Sequence, residues 1–332
     1  MIAIGIDIAN QTFTASACTA TFEPVFFGQT FDQTPAGYAA LLTLCASIPR
    51  TQLQAVMEAT GVYSERLSHY LYHQGVAVFV EPPLSIKKGM YEREKSDPVD
   101  SRQIAEYAFR FQNRLHPWQP PAEILDQLKT LLTVREQFAK MRTAGKNTRR
   151  ALQRKQYVHQ ETQRYYDQFI AKLDGWIADL EHDLEKILQT NLQIQQTFAH
   201  VKNIPGVGFL LAVNVALVTE GFTQHLKYQS LSKYIGTCPL SYQSGTSVYR
   251  RPRADGAGPS RLRKLLYLSA MRLKKDSPEF RRYFERKVAE GKAPRLILNN
   301  LANKLLKIVC GVIKSGKPYI KGYYSINPQL YE

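Results

Sequence analysis

The chain has 332 residues, more than one compact core usually holds, so we expect two domains and a connector. Hydrophobic residues make up 44% of the chain and the formal net charge is +16, a composition that excludes general disorder. The charge is uneven, because residues 1–120 have a net charge of −2 and residues 121–332 a net charge of +18. Such a basic half indicates a nucleic-acid partner, since basic side chains release the counterions condensed on phosphates. A solvated basic surface or attraction to a membrane surface would also produce it.

The cysteines and histidines show no spacing that is typical of zinc ligands. Four cysteines (Cys18, Cys45, Cys238 and Cys310) are far apart in the sequence, which fits a reducing compartment. The N-terminus lacks the pattern of a signal peptide, and no uninterrupted apolar run reaches about 18 residues. We therefore expect a cytoplasmic protein without a membrane-spanning segment.

The first part of the chain reads as strands and helices in alternation. Strands are predicted over residues 1–9, 12–20, 24–32, 52–60 and 76–80, and helices over 34–48, 63–73 and 97–115. The order βββαβαβα indicates a mixed sheet flanked by helices. Residues 1–115 are therefore predicted to form an α/β domain.

Residues 116–200 are predicted to form a helical connector. Residues 116–121 contain three prolines and act as a linker, and helix formers dominate from there to about residue 199. A seam of apolar residues with steps of three and four predicts an antiparallel helical hairpin or an intersubunit coiled coil; it consists of Phe169, Leu173, Ile177, Leu180, Leu184 and Ile187. The break between the two helices is expected near residues 145–157.

Residues 201–332 are predicted to be a third, mainly helical domain. The segment Ile204–Gly208 leads into an apolar helix and resembles a helix-hairpin-helix element, in which Gly206 and Gly208 would let backbone N–H groups approach a DNA phosphate. An ordinary glycine-rich turn between core helices is the alternative. A short hairpin is predicted over residues 242–253.

Four carboxylates form the candidate metal site. Asp7 lies in an otherwise apolar strand, where a charge is costly unless something positive holds it. Glu58 ends the fourth strand and would meet Asp7 if strands one and four are neighbours, while Asp97 and Asp100 project from one face of a helix. Four converging carboxylates can hold two Mg²⁺ ions, or Mn²⁺, which stabilise the attacking and leaving oxygens in phosphodiester cleavage.

Simpler interpretations of these acids remain open. Asp97 could be a helix N-cap before Pro98, Asp100 an acid favoured in a first turn, and Glu58 a strand end. The opening Gly5–Asp7 also occurs in actin-like sugar kinases, but that class needs a second glycine-rich phosphate loop, and the sequence has none.

The basic residues that we expect to contact nucleic acid form three clusters. They are Arg149, Arg150, Arg154 and Lys155 in the connector, Arg250, Arg251 and Arg253 in the hairpin, and Arg261, Arg263 and Lys264 in the next helix. Tyr242 and Tyr249 lie among them and could stack on bases. Any single member could be a solvated surface residue, so the prediction depends on their density. Ser244, in the polar segment 242–247, reads from chemistry alone as a turn former, because no histidine base stands near it in sequence.

Seven ordered motifs resemble those of one family. The segments Gly5–Ala9, Glu58–Tyr63 and Lys95–Asp100 resemble the three acidic motifs of the DEDD transposases, which are recombinases of bacterial insertion sequences and are related to the Piv pilin-gene invertase. The later segments Ile204–Gly208, Gly236–Leu240, Ser244–Ser247 and Lys314–Tyr319 resemble the C-terminal transposase domain of that family. Asn10 departs from the lysine that is common there, and Pro98 between the two aspartates fits a helix start.

The resemblance implies a RuvC-like, RNase H-like nuclease fold in residues 1–115, with Asp7, Glu58, Asp97 and Asp100 as the DEDD tetrad. It implies that Ser244 is a nucleophile that forms a phosphoserine link to DNA. It also implies guidance by a structured non-coding RNA that pairs with donor and target DNA, in a homodimer or homotetramer. A catalytically silent nucleic-acid scaffold and a Holliday-junction-resolvase-like nuclease are the alternative functions.

Overall fold

The computed structural model describes residues 1–89, 96–244, 248–254 and 258–321, with the side chains of residues 240–253 left undescribed. Two compact units follow one another along the chain, Met1–Pro121 and Ala122–Glu332. The first unit extends a few residues beyond the predicted boundary at residue 115. The predicted division into domains 1–115, 116–200 and 201–332 stays a prediction.

The first unit is built on a five-stranded mixed sheet, which confirms the predicted α/β class. Its strands lie in the order β3-β2-β1-β4-β5. β1 pairs antiparallel with β2 and parallel with β4, β2 pairs antiparallel with β3, and β4 pairs parallel with β5. The strands are β1 (Ile2–Ile8), β2 (Thr12–Thr19), β3 (Pro24–Asp32), β4 (Leu53–Glu58) and β5 (Ala77–Glu81).

Helices cover both faces of this sheet. They are α1 (Pro35–Leu44), α2 (Val62–His73), α3 (Pro83–Gly89) and α4 (Asp97–Arg110). α1 begins where the Thr34 side chain accepts a hydrogen bond from the Gly37 N–H and ends four residues before the predicted residue 48. α4 ends at Arg110, short of the predicted residue 115, and a 3-10 turn follows it. α3 has no predicted counterpart, because seven residues are too few for a helical period to show.

The two faces of the sheet bury different cores. The larger core includes Ile4, Ile6 and Ile8 of β1 with Leu41 of α1 and Leu67 and Leu71 of α2. The smaller core combines Ala3 of β1 and Val56 of β4 with Ile86, Ile104, Tyr107 and Ala108 of α3 and α4. Since side chains alternate along a strand, this division fixes which face every residue of β1 and β4 occupies.

The second unit begins with two long antiparallel helices, α5 (Glu123–Leu152) and α6 (Gln160–Gln189). The break between them falls inside the predicted region. Three ion pairs link the helices. From one pair to the next, the residue number rises by seven on α5 and falls by seven on α6; the pairs are Arg135–Glu181, Arg142–Asp174 and Arg149–Asp167. The two helices therefore form an antiparallel hairpin in a fixed register.

The buried seam of α6 differs from the predicted one. The buried residues are Ile170, Leu173, Ile177, Leu184 and Leu188. Phe169 is 37% exposed, and Leu180 and Ile187 are only partly buried. An α-helix turns 100° per residue, so the five buried residues lie on one straight stripe about 60° wide. Phe169, Leu180 and Ile187 all lie on one side of this stripe, and a supercoiled seam is not confirmed.

The remaining elements of the second unit surround one core. They are α7 (Leu192–Lys202), α8 (Phe209–Val218), α9 (Tyr228–Ile235), β6 (Pro239–Ser244), β7 (Val248–Ala254), α10 (Ser260–Asp276), α11 (Pro278–Ala289) and α12 (Pro294–Ser315). α12 is long and apolar enough to cross a membrane by length and composition, and 56% of its most apolar window is buried inside the protein. Ten of its residues are buried, among them Leu301, Leu305 and Val309 of the unit's core, so α12 packs as a core helix.

Candidate active site

Strand alternation and strand pairing bring Asp7 and Glu58 together. Asp7 lies on the same face of β1 as Ala3, and Glu58 on the same face of β4 as Val56, so both carboxylates lie on the face that α4 covers. The parallel register pairs Ile6 with Met57, which places the next residues, Asp7 and Glu58, side by side at the end of both strands. Both side chains are partly buried.

α4 lies unusually close to β1, because glycine occupies position 5. A Cβ at Gly5 would lie 2.1 Å from both the Ala105 nitrogen and the Ser101 carbonyl oxygen, so any larger residue would push the helix away. The Ser101 hydroxyl lies 2.8 Å from the Ser16 hydroxyl of β2 and donates to the Pro98 carbonyl at 3.0 Å. These contacts fix the first turn of α4 above the end of β1.

The first turn of α4 carries the other two acids. Ser96 is the N-cap residue, and the Asp100 N–H donates to its carbonyl at 2.8 Å. Asp97 is thus the first helical residue rather than the N-cap that the simpler interpretation required. Asp97 is exposed and Asp100 is partly buried. Lys95, in the same motif, lies outside the described residues.

The electrostatics of Asp7 reflect this convergence. Burial, followed by the negative charges of Asp97, Asp100 and Glu58, raises the pKa of Asp7 from 3.8 to about 6. Asp7 therefore lies in a cluster of negatively charged side chains. Clusters of this kind are typical of functional sites rather than of strand ends.

The chemistry of the cluster suits a divalent cation. Among the residues that the structure describes, no three Asp, Glu, His or Cys side chains already lie close enough to hold one ion as they stand. The donor set is purely carboxylate, which Mg²⁺ and Mn²⁺ prefer over sulfur or imidazole. A cation would also relieve the repulsion on Asp7. The buried hydroxyl of Thr60, two residues after Glu58, has no hydrogen-bond partner within the described part of the chain, so a polar ligand at this edge would satisfy it.

Ser244 lies at the turn of a β-hairpin. β6 ends at Ser244, whose backbone pairs with Val248 at the start of β7, which confirms the predicted hairpin. Residues 245–247 and the side chain of Ser244 lie outside the described part. The same holds for the side chains of Tyr242, Tyr249, Arg250, Arg251 and Arg253.

Three of the four connector cations are exposed. Arg150 lies in the last turn of α5, and Arg154 and Lys155 follow it at the tip of the hairpin. Arg149 differs, because its guanidinium pairs with Asp167 of α6. The nucleic-acid role predicted for Arg150, Arg154 and Lys155 is compatible with their exposure, and Arg149 already has a partner in the hairpin.

Two of the three α10 cations that were predicted to contact nucleic acid make contacts within the protein. The Arg261 guanidinium donates to the Leu132 carbonyl at 3.0 Å and lies 3.3 Å from Glu136, and burial lowers its pKa. Arg263 donates to the backbone carbonyls of Ile235, at 3.0 Å, and Gly258. Both guanidinium groups therefore tie elements of the second unit together. The sequence could not reveal this, because the Leu132 and Ile235 carbonyls that they bind lie far away in the chain. Lys264 is exposed.

The two glycines after α7 also differ from one another. Gly206 has a φ of +82°, and a Cβ there would lie 2.6 Å from Leu273 of α10. The left-handed turn and the close packing against Leu273 explain why position 206 is a glycine. Gly208 precedes α8 and has open space around it, so it keeps a backbone accessible to a ligand. A helix-hairpin-helix assignment is not confirmed.

The residues that position α4 were not predicted as part of the site. Gly5, Ser16 and Ser101 bring the helix onto the strand, and a Cβ at Gly28 would lie 2.8 Å from Pro98. A usable signal was present, since Ser101 and Ala105 are small residues four apart on α4 and face a glycine. That pattern indicates close approach of a helix.

Sequence comparison identifies the class of this protein. Residues 4–157 match a transposase profile of the DEDD IS110 type, and residues 199–285 match one described as the IS116/IS110/IS902 transposase family. The chain is 28% identical over 324 residues to the pilin gene-inverting protein of Moraxella lacunata, covering 96% of this chain and 97% of that protein. It is 24% identical over 217 residues to the transposase for insertion sequence element IS1111A of Coxiella burnetii, covering 57% of each.

With the profile matches falling on the acidic motifs and on the Ser244 hairpin, the chain is a DNA transposase of the recombinase class. It belongs to the IS110 family of DEDD transposases. A solved structure of Thermus thermophilus RuvC with a Holliday junction substrate is also similar, at 16% identity and a TM-score of 0.26, covering 36% of this chain and 99% of that one. A similarity of that size carries no weight for the mechanism.

Proposed function

We propose that this transposase cuts and rejoins DNA with a divalent metal held by the four acids and with Ser244 as the nucleophile. The observation that supports this most directly is the convergence of Asp97, Asp100 and Glu58 on Asp7, because burial and then these three charges raise the pKa of Asp7. Repulsion between neighbouring carboxylates is unfavourable, and a divalent cation bound between them would offset it.

Asp7, Glu58, Asp97 and Asp100 would hold the metal, with Mg²⁺ as the expected ion. When bound, a divalent ion would stabilise the negative charge that builds up on the oxygens of the scissile phosphate. The sheet and α4 supply rigidity, because Asp7 and Glu58 lie on paired strands and the two aspartates on one helical turn. The protein therefore determines where the phosphate lies before any bond changes.

Ser244 would supply the step that a metal site lacks. Its Oγ attacks the phosphorus, an Oγ–P bond forms, and the P–O bond to the departing strand breaks. The serine proton is released and the departing strand oxygen gains a proton. In the reverse step a strand hydroxyl attacks the phosphoserine, and Ser244 regains its proton. The ester conserves the bond energy, so the strand can be rejoined without another energy source.

The partners follow from charge and from the family. Donor and target DNA, and a structured guide RNA, would lie against the exposed cations Arg150, Arg154, Lys155 and Lys264 and the hairpin arginines. The active form is proposed to be a homodimer or homotetramer in the cytoplasm. A resolvase-like nuclease would need the acids alone, and the matched profile over residues 199–285 favours a transposase instead.

The decisive experiment replaces Ser244. Ser244→Ala is expected to retain DNA binding but to yield neither recombinants nor protein–DNA adducts, whereas the wild type gives an adduct on denaturing gels that maps to Ser244. Ser247→Ala is the matched control, three residues along the same segment, and should recombine normally. Recombination by Ser244→Ala at the wild-type rate, or an adduct that maps to Ser247, would show that another group attacks the phosphate.

A further inference from the structure

The first unit has a cavity at the strand ends where the tetrad lies, but on the face of the sheet that α1 and α2 cover, and it has no role in the proposed reaction. Its volume is about 820 Å³, and its lining includes Asn10, Gln33, Tyr38, Tyr63, Arg66 and His69. Asn10 follows Asp7 by three residues and Tyr63 follows Glu58 by five. Because β1 and β4 are neighbouring parallel strands, both residues leave the sheet at the edge where the carboxylates lie.

The floor of the cavity is held in place by Gln33. Its amide nitrogen donates to the Ala9 carbonyl at 3.4 Å and to the Tyr63 carbonyl at 3.3 Å, and its amide oxygen accepts from the Tyr38 hydroxyl at 2.9 Å. One side chain thus joins the loop after β1, the first turn of α2 and α1. The cavity is therefore a built feature rather than a gap between loose segments.

The lining groups that remain accessible suit a flat, weakly charged ligand. Tyr63 is 46% exposed and Val62 is 73% exposed, which offers an aromatic face and an apolar edge to the cavity. Asn10 is exposed and brings both a donor and an acceptor on one amide. The lining includes one arginine, Arg66, and one glutamate, Glu65, which carry opposite formal charges. A di- or triphosphate would need more positive charge than this.

We infer that this cavity receives an unpaired nucleobase of the DNA strand whose phosphate lies at the tetrad. The inference rests on the proposed function, because it takes the scissile phosphate to lie beside Asp7 and Glu58. Tyr63 would stack on the base, and the Asn10 amide could pair with its edge, as Asn does with adenine. A volume within the usual range for small-molecule pockets leaves room for a whole nucleoside. Holding a neighbouring base would fix the register of the strand at the metal.

Fluorescence of 2-aminopurine tests this inference. A short single-stranded DNA carrying one 2-aminopurine is titrated into full-length Asp7→Asn protein, which leaves the probe uncut. Stacking in the cavity quenches the fluorescence. Adding Tyr63→Ala is expected to remove most of the quenching and to weaken binding by about tenfold, the size of one base–aromatic stack. Tyr63→Phe keeps the ring and should preserve both.

Tyr72→Ala is the matched control, because Tyr72 lies on the same helix, is 38% exposed and is outside the cavity lining. It should leave quenching and affinity unchanged. Equal quenching with and without the Tyr63 ring would overturn the inference. It would also be overturned if a single-stranded RNA probe were quenched and the DNA probe were not. The proposed function fails by a different result, namely recombination by Asp7→Asn alone, so the two failures can be told apart.

Discussion

The hydroxyl oxygens of Ser16 and Ser101 lie 2.8 Å apart in a hydrogen bond that is buried between β2 and α4. The Ser16 oxygen also accepts from the Gly28 N–H at 2.9 Å, and Ser101 directly follows Asp100. This short chain of contacts runs from the edge strand β3 through β2 to the acidic turn. The position of Asp97 and Asp100 over Asp7 therefore depends on residues that do no chemistry.

Removing this link should impair the site more than the fold. Ser101→Ala leaves the Ser16 hydroxyl with one partner fewer, at a cost of about 1 kcal/mol in unfolding free energy. Recombination should fall further than that cost explains, because the two aspartates lose their fixed position. Urea denaturation and a recombination assay measure the two effects. Thr43→Ala, which removes an exposed hydroxyl bonded to the Ala39 carbonyl, is the control; equal losses in both variants would argue against a positioning role.

Gly5→Ala tests how closely α4 must lie against β1. The added methyl group would meet backbone atoms at 2.1 Å, so the helix must shift or the unit must unfold, at a cost of about 3 kcal/mol or more. Thermal melting and far-UV circular dichroism report this cost. Gly175→Ala in α6 meets nothing within 4 Å and should be neutral or slightly stabilising. A Gly5→Ala protein that melts like the wild type would mean that the close contact is not required.

The raised pKa of Asp7 predicts how the unfolding free energy of the metal-free protein changes with pH. Because this pKa is raised from 3.8 to about 6, the folded protein binds more protons than the unfolded chain between these values. Without metal, the unfolding free energy should therefore fall as the pH rises from about 4 to about 6, by about 1–2 kcal/mol after solvent screening. Urea denaturation at several pH values in EDTA measures it.

Asp7→Asn should remove this dependence and stabilise the metal-free protein at pH 8, while recombination is lost. Mg²⁺ should raise the melting temperature of the wild type and not that of the variant. Asp179→Asn, on the exposed side of α6, makes the same change in formal charge and should do neither. A destabilised Asp7→Asn protein would contradict the repulsion expected between Asp7 and the other three acids.

The exposed cations at the hairpin tip should contribute to nucleic-acid affinity through counterion release. Reversing Arg150 and Arg154 to Glu is expected to flatten the plot of log affinity against log salt by about 0.9 per lost DNA phosphate contact. Lys129→Glu combined with Lys172→Glu, which reverses two exposed cations of α5 and α6 away from the tip, is the control for net charge. Filter binding across a salt series gives the slopes. If the two proteins have the same slope, the tip faces solvent.

The sequence predicted the sheet and the proximity of the four acids because both follow from local rules. An acid in an apolar strand and two acids three residues apart on a helix are visible in the residues themselves. The contacts of Arg261 and the buried face of α6 were predicted less well, because both depend on packing against distant elements. The Arg261 guanidinium donates to the Leu132 carbonyl, and the buried face of α6 includes Ile170 and Leu188. The cavity beside Tyr63 was not predicted, because three separate segments form it.

The seven-residue steps of the ion pairs between α5 and α6 have a consequence for how such proteins can vary. Adding seven residues to each helix would lengthen the hairpin by about 10 Å and leave Arg135–Glu181, Arg142–Asp174 and Arg149–Asp167 intact. An insertion in one helix alone would separate every pair beyond it. The distance from the hairpin's base to its basic tip can therefore change during evolution only when both helices gain or lose the same multiple of seven residues.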